Sequence, residues 1–151
     1  MRNIYLNLLE VFMDYTKIDV SQIDALWQLQ MLYKSEIEED EPQVEDKNHL
    51  VEAIASNKII FFGAFDNGKL IGCCSITVGF STFNYMSSGV FEDFYIYKDY
   101  RHKGIARKLV QYAFAESGVS SLTVGCADCD VKMYQSLGFS IPLGNLLAFE
   151  N

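Results

Sequence analysis

Apolar positions recur along this chain with two different periods, and each change of period marks the start of a new element. Residues 11–16 alternate as a short strand. At Asp19 the spacing lengthens: Asp19 followed by Gln22 forms a capping box, and Ile23, Trp27 and Met31 fall on one stripe of a helix reaching about residue 34. A second helix over residues 43–56 turns Leu50, Val51 and Ile54 inward and ends at Asn57, a residue that tolerates the left-handed cap. Two apolar, β-branched runs follow, residues 59–65 and 70–79, joined by Asp66-Asn67-Gly68-Lys69. Its Asn-Gly pair supplies the positive φ angles of a tight hairpin. Residues 89–97 read as a third long strand, apolar on both faces through Val90, Phe91, Phe94, Tyr95, Ile96 and Tyr97, the pattern of a central strand.

The remaining third alternates. Residues 105–117 predict a helix with Ile105, Leu109, Ala113 and Phe114 inward and Gly118 as its stop; residues 122–125 predict a short strand. Asp128 then caps a last helix that carries Val131, Tyr134 and Leu137, ends at Gly138 and leads into short strands at 139–141 and 145–149. Strand, helix, strand in this order implies a right-handed crossover and a parallel pair. The fold class is α/β, or α+β, in one domain over residues 1–151, since no repeat, low-complexity linker or composition break divides the chain.

Two departures from the pattern carry chemistry. Glu92 and Asp93 sit inside the central strand on opposite faces, and a carboxylate there is costly unless it is hydrogen-bonded, protonated or solvated by a cleft. At least one of them is therefore expected to line a cavity. Glu36, Glu38, Glu39, Asp40 and Glu41 crowd ahead of Pro42, where repulsion and the proline favour an exposed loop.

Composition narrows the function. Half of the 151 residues are hydrophobic, which excludes a disordered chain, and the formal charge of -8 argues against nucleic acid and suits a cationic partner. No apolar run reaches the roughly 18 residues of a membrane span, and Met1, Arg2 and Asn3 open no signal-peptide core, so the expected location is the cytoplasm with its cysteines reduced. Cys126 and Cys129 have metal-like spacing, but a structural zinc site wants two such pairs and adjacent Cys73 and Cys74 point to opposite strand faces. No metal is expected. The cysteines read as buried small apolar residues plus one thiol at a helix entry.

The segment Arg101-His102-Lys103-Gly104-Ile105-Ala106 follows a strand and opens a helix, where free N–H groups and the helix dipole favour an anion. Gly104 and Ala106 let the main chain approach phosphate oxygens, and Arg101, Lys103 and Arg107 add positive charge. A pyrophosphate fits this description, as does a plain basic turn. The segment is neither a Walker loop nor the three-glycine dinucleotide fingerprint.

This segment resembles the signature of the GCN5-related N-acetyltransferases (GNAT): Arg or Gln, two residues, Gly, one residue, Gly or Ala, after a strand. The resemblance extends through Phe91-Glu92-Asp93-Phe94-Tyr95-Ile96 before it and Tyr134-Gln135-Ser136-Leu137-Gly138-Phe139 behind it. It implies a mixed, strongly twisted sheet flanked by helices, whose central strand bulges and splays from its parallel neighbour. It implies too that backbone amides of His102, Lys103, Gly104, Ile105, Ala106 and Arg107 hold the pyrophosphate of acetyl-coenzyme A, and that Phe94, Tyr95 and Ile96 pair with its pantetheine arm like an added strand. Tyr134 lies where many members keep a tyrosine that protonates the departing thiolate; its other reading is a core aromatic on an amphipathic helix. Many members carry an Asn seven residues before that tyrosine, where this chain has Ala127, followed by Asp128.

Glu92 is the candidate general base, because the reaction needs a neutral amine and many relatives place a carboxylate, often working through water, on this strand. Its alternative is a structural pairing. His49 and His102 fall at polar or variable positions, and no histidine near Cys126 or Cys129 makes either a nucleophile. The expected reaction is direct acetyl transfer in a ternary complex to a primary amine of a small cationic acceptor, polyamine- or aminoglycoside-like, which the acidic loop of residues 36–41 would attract. The other reading of that loop is a solvated connection with no ligand. Two alternatives stand beside it, a noncatalytic acyl-coenzyme A-binding domain and an acetyltransferase of protein lysines or N-termini. A homodimer is common in the family.

Overall fold

The computed structural model describes residues 13–150, so positions 11 and 12 of the first expected strand lie outside it. Five strands form one mixed sheet in the order β1-β2-β3-β4-β5: β1 Met13–Ile18, β2 Ile60–Asp66, β3 Lys69–Ser81, β4 Met86–Ile96 and β5 Ser121–Thr123. The first four are antiparallel neighbours, and β4 runs parallel to β5 across the helix α3 (Ile105–Ser117). The helices α1 (Ile23–Glu36) and α2 (Val44–Ala55) connect β1 to β2, and a six-residue helix α4 (Val131–Ser136) follows β5.

Each face of the sheet has its own core. Phe62, Ala64, Cys74, Ile76 and Phe91 pack under Ile105, Leu109, Val110 and Ala113 of α3. Phe61, Phe65, Leu70, Cys73 and Tyr95 pack under Leu26 and Leu29 of α1 and Ile54 of α2. Cys73 and Cys74 thus point to opposite faces and are both buried, as expected of neighbours on a strand, whereas Cys126 and Cys129 are both exposed. The β2–β3 hairpin turns at Asn67 and Gly68 with φ of 48° and 82°, the two positive angles that its sequence calls for.

Several boundaries and facings differ from the expectation. The capping box at Asp19 and Gln22 starts a 3-10 turn before α1, which continues to Glu36 and so takes that acid out of the loop. The buried stripe of α1 is Leu26 and Leu29, continued by half-buried Tyr33, while Trp27 and Met31 lie beside it at clefts; the sheet beneath α1, not the helix period alone, selects the buried face. Phe114 is 42% exposed, because Val110 and Ala113 fill the place beneath α3. Asp128 makes no capping bond: Ala127 stands at the N-cap of a 3-10 turn that precedes α4. The strands expected at 139–141 and 145–149 are absent, and Ile141, Leu143, Leu146, Leu147 and Phe149 stand 76–94% exposed. Their β-propensity meets no partner edge among the described residues.

The β4–β5 pairing is short, Ser88 with Ser121, Gly89 with Leu122 and Val90 with Thr123. It is also tight. A Cβ at Gly89 would lie 2.8 Å from Ile76 Cγ2, 3.0 Å from Leu122 Cδ1 and 3.2 Å from Val119 Cγ1. Gly89→Ala is therefore expected to cost about 1–3 kcal/mol through overpacking and to lower the thermal midpoint by several degrees in calorimetry; an unchanged midpoint would show that this junction yields.

Candidate active site

Beyond Val90 the β5-side edge of β4 pairs with no strand among the described residues, and the two parallel strands separate. On its other side β4 departs from β3 as well. Cys73 opposes Tyr95 and Ser75 opposes Glu92, so Cys74 alone faces both Asp93 and Phe94. This is a β-bulge, and Asp93 absorbs it with φ of 50°, a left-handed angle uncommon for a residue with a side chain. The bulge also corrects the facing of the two acids. Glu92, paired with Ser75, belongs to the α1–α2 face, and the Asp93 carboxylate reaches the same face, where its Oδ2 accepts a 2.6 Å hydrogen bond from Ser75 Oγ. Glu92 is exposed; Asp93 is half-buried and lines a cleft of about 610 Å³ with Trp27, Asp40, Asp46, His49 and Leu50.

At the far end of β4 the chain turns into α3 through two left-handed residues, His102 at φ 60° and Gly104 at φ 80°. Alternating right- and left-handed backbone points successive N–H groups to one side. None of the N–H groups of residues 102–107 donates to a protein acceptor among the described residues, whereas Lys108 N–H donates to the Gly104 carbonyl. Six free donors at a helix N-terminus make an anion cradle. A Cβ at Gly104 would meet nothing within 4 Å, so the approach to these donors is open.

The basic side chains are placed differently from the sequence expectation. Arg101 donates from Nε to the Ile96 carbonyl at 2.8 Å and from Nη2 to Glu36 at 2.7 Å, with its guanidinium carbon 5.3 Å from the centre of the Tyr95 ring. The hydrogen bond from Arg101 holds the Glu36 carboxyl below its usual range. Arg101 therefore ties the C-terminal end of α1 to the start of the cradle. Lys103 donates to the Asp99 carbonyl, and Arg107 reaches the Ser136 carbonyl. Main-chain donors, more than these three cations, define the anion site.

Tyr134 packs among Phe91, Phe94 and Phe139, with ring centres 6.5, 6.2 and 5.9 Å away. Burial, then the nearby Tyr33 hydroxyl, Asp130 and Cys126, push its hydroxyl up to about 12, so it holds its proton at neutral pH. Tyr33 comes from α1 on the opposite face; its own hydroxyl is raised by burial and then by the charge of Asp93. Tyr33 and Tyr134, though assigned to opposite faces, thus come within electrostatic reach of each other. Tyr33 and Ser75 were not singled out by sequence. Tyr33 continues the Leu26–Leu29 stripe, a signal that could have found it, while nothing local marks Ser75 inside its apolar run.

The sequence model of the acetyltransferase (GNAT) domain matches residues 57–141, and the chain belongs to that family of acetyltransferases. An aminoglycoside acetyltransferase from an uncultured soil metagenomic sample, solved in complex with sisomicin, is similar in structure at a TM-score of 0.81 and 16% identity, covering 95% of this chain and 98% of its own. A GCN5-related N-acetyltransferase from Ralstonia eutropha JMP134 aligns at a TM-score of 0.71 and 14% identity over 91% and 98% of the two chains. Glucosamine-6-phosphate N-acetyltransferase from Arabidopsis thaliana aligns at 0.70 and 16% over 92% and 99%. No curated protein matches the sequence. The bulged central strand and the parting of β4 from β5 agree with what the resemblance implied, and the family uses acetyl-coenzyme A. No helix among the described residues is long and apolar enough to cross a membrane.

Free donors and an open approach at residues 102–107 fit the pyrophosphate of that cosubstrate. Gly104→Glu brings a carboxylate into the cradle at a left-handed position, which costs about 1–2 kcal/mol of stability. Coenzyme A binding, followed by calorimetry, is expected to disappear while circular dichroism still reports a folded domain. Retained affinity would remove this loop from the site.

Proposed function

We propose that this protein moves the acetyl group of acetyl-coenzyme A to a primary amine of a small cationic acceptor, polyamine- or aminoglycoside-like, by direct transfer in a ternary complex in the cytoplasm. The observation that carries the reading is the break in β4: the strand leads into an anion cradle at residues 102–107, and at the bulge its Asp93 lines an acid-rich cleft. The sisomicin complex of the structurally similar aminoglycoside acetyltransferase supports an acceptor with several amino groups.

Acetyl-coenzyme A, when bound, supplies the reactive thioester. The main-chain N–H groups of residues 102–107 bind its pyrophosphate, and the open edge of β4 at Phe94, Tyr95 and Ile96 receives its pantetheine arm as an added strand. Arg101 serves this loop by holding its start against α1 through Glu36. Glu92, exposed on the α1–α2 face of β4, takes a proton from the acceptor ammonium directly or through water. Tyr134 keeps its proton across the neutral range and gives it to the sulfur. On the acceptor side, Asp40, Glu41 and Asp46 line the cleft, and Glu39 holds Lys34, so negative charge dominates the approach.

A thiol-release screen of amines against acetyl-coenzyme A tests the reaction, and absence of turnover with every amine would sink it. Tyr134→Phe is expected to lower kcat by roughly ten-fold to several-thousand-fold with little change in cofactor affinity. Loss of stability alone, with kcat intact, would leave Tyr134 as a core aromatic.

The acidic loop generates a separate expectation. Changing Glu38, Glu39 and Asp40 to Gln, Gln and Asn should raise KM for a polyamine and leave kcat nearly intact, because uniform substrate binding is lost. The effect should fade as salt shortens the screening length to about 8 Å at physiological ionic strength. Equal KM values for the variant and the wild type across a salt series would reduce the loop to a solvated connection.

A further inference from the structure

Ser75 is the one polar side chain that is buried among the described residues, at 0% exposure, in a run of Cys73, Cys74 and Ile76. Burying a hydroxyl there costs stability unless it is bonded, and its partner is Asp93, itself held at φ 50° in the bulge. Two costly features meet in a single 2.6 Å hydrogen bond. Regular pairings flank the pair, Ile76 with Phe91 on one side and Cys73 with Tyr95 on the other. Local cost that the surrounding core over-determines, and that ends on a cleft, is the signature of a functional group.

The geometry of the pair is specific. The hydroxyl donates to Oδ2, which fixes the carboxylate plane; among the described residues no protein donor bonds Oδ1. Asp93 lines the cleft whose walls include the Trp27 indole, Leu50 and Ile59. Lys34 also lines it, but Glu39 holds its ammonium, and Arg101 is held by Glu36. The charge of Asp93 also reaches Tyr33 of α1 across the cleft face.

We infer that Asp93 is the acceptor-binding carboxylate, whose free Oδ1 holds the reacting ammonium before proton removal, and that Ser75 is a positioning residue that keeps Asp93 turned into the cleft. The inference rests on the acetyl-transfer reading and assigns within it which acid binds the amine, a role separate from proton removal by Glu92. It makes the site selective for amines that enter as cations. A carboxylate left on the bulge without its hydroxyl would rotate among rotamers and bind the ammonium less well.

The test is a double-mutant cycle on the full chain, with KM for a polyamine acceptor, kcat, and acetyl-coenzyme A affinity by calorimetry as separate readouts. Asp93→Asn should raise the amine KM at least about ten-fold, and Ser75→Ala about three- to ten-fold, both with acetyl-coenzyme A affinity unchanged. Ser75→Cys, a somewhat larger side chain that keeps a weaker donor, should fall between wild type and Ser75→Ala, and it serves if the alanine variant folds poorly. In the Asp93→Asn background Ser75→Ala should add no further rise, since Ser75 acts through the carboxylate. An unchanged KM for Asp93→Asn, or additive effects of the two substitutions, overturns the assignment while wild-type turnover keeps the acetyl-transfer reading. Absence of thiol release from the wild type with every amine removes both.

Discussion

The rest of the site depends on the interruption of the β4 hydrogen-bond ladder. A central strand normally spends its N–H and C=O groups on two neighbours, and a strand so satisfied has nothing to offer a substrate. Here β5 leaves after Val90, and the β3 pairing gains an extra residue at Asp93. One edge of residues 91–96 is thereby freed as a main-chain template, and a carboxylate is turned out of the alternation onto the α1–α2 face. Both proposed substrate sites follow from that one break.

The break is sustained because the sheet is clamped from both sides. Phe91 is fully buried under α3 and Tyr95 nearly so under α1, and these anchors flank the bulge and hold it open. The aromatic cluster of Phe91, Phe94, Phe139 and Tyr134 packs beside this strand on the α3 face and leaves its open edge free. Tyr134 is consequently both a packing residue and a buried hydroxyl, and the same burial that makes it a core aromatic keeps its proton in place. The two readings that its sequence position allows are one physical situation.

Charge is distributed by the same logic. A chain of net charge -8 can offer an anion main-chain donors, which carry no side-chain charge to be neutralised by neighbouring acids. Arg101 illustrates the difference: the motif position suggests a phosphate ligand, yet its guanidinium joins Glu36, the Ile96 carbonyl and the Tyr95 ring. It braces the loop that carries the free donors. Glu36 in turn belongs to this brace, while the acids after it remain with the exposed loop.

What the sequence determined by itself is what short-range chemistry controls. The Asn67-Gly68 hairpin, the Asp19 capping box, the helix stop at Gly118 and the glycine-opened cradle at residues 102–107 each depend on a few adjacent residues, and each is present. The motif segments were legible for the same reason, and so was a carboxylate of β4 meeting a cavity. What only the tertiary structure decided involves partners distant in sequence: which acid faces the cleft, through the register of Ser75 with Glu92; what Arg101 holds, through Glu36; and which stripe of α1 is buried, through the sheet beneath it. The expected strands at 139–141 and 145–149 failed on the same ground, since a strand exists only where another edge receives its hydrogen bonds, and no run of residues can state where that edge will lie.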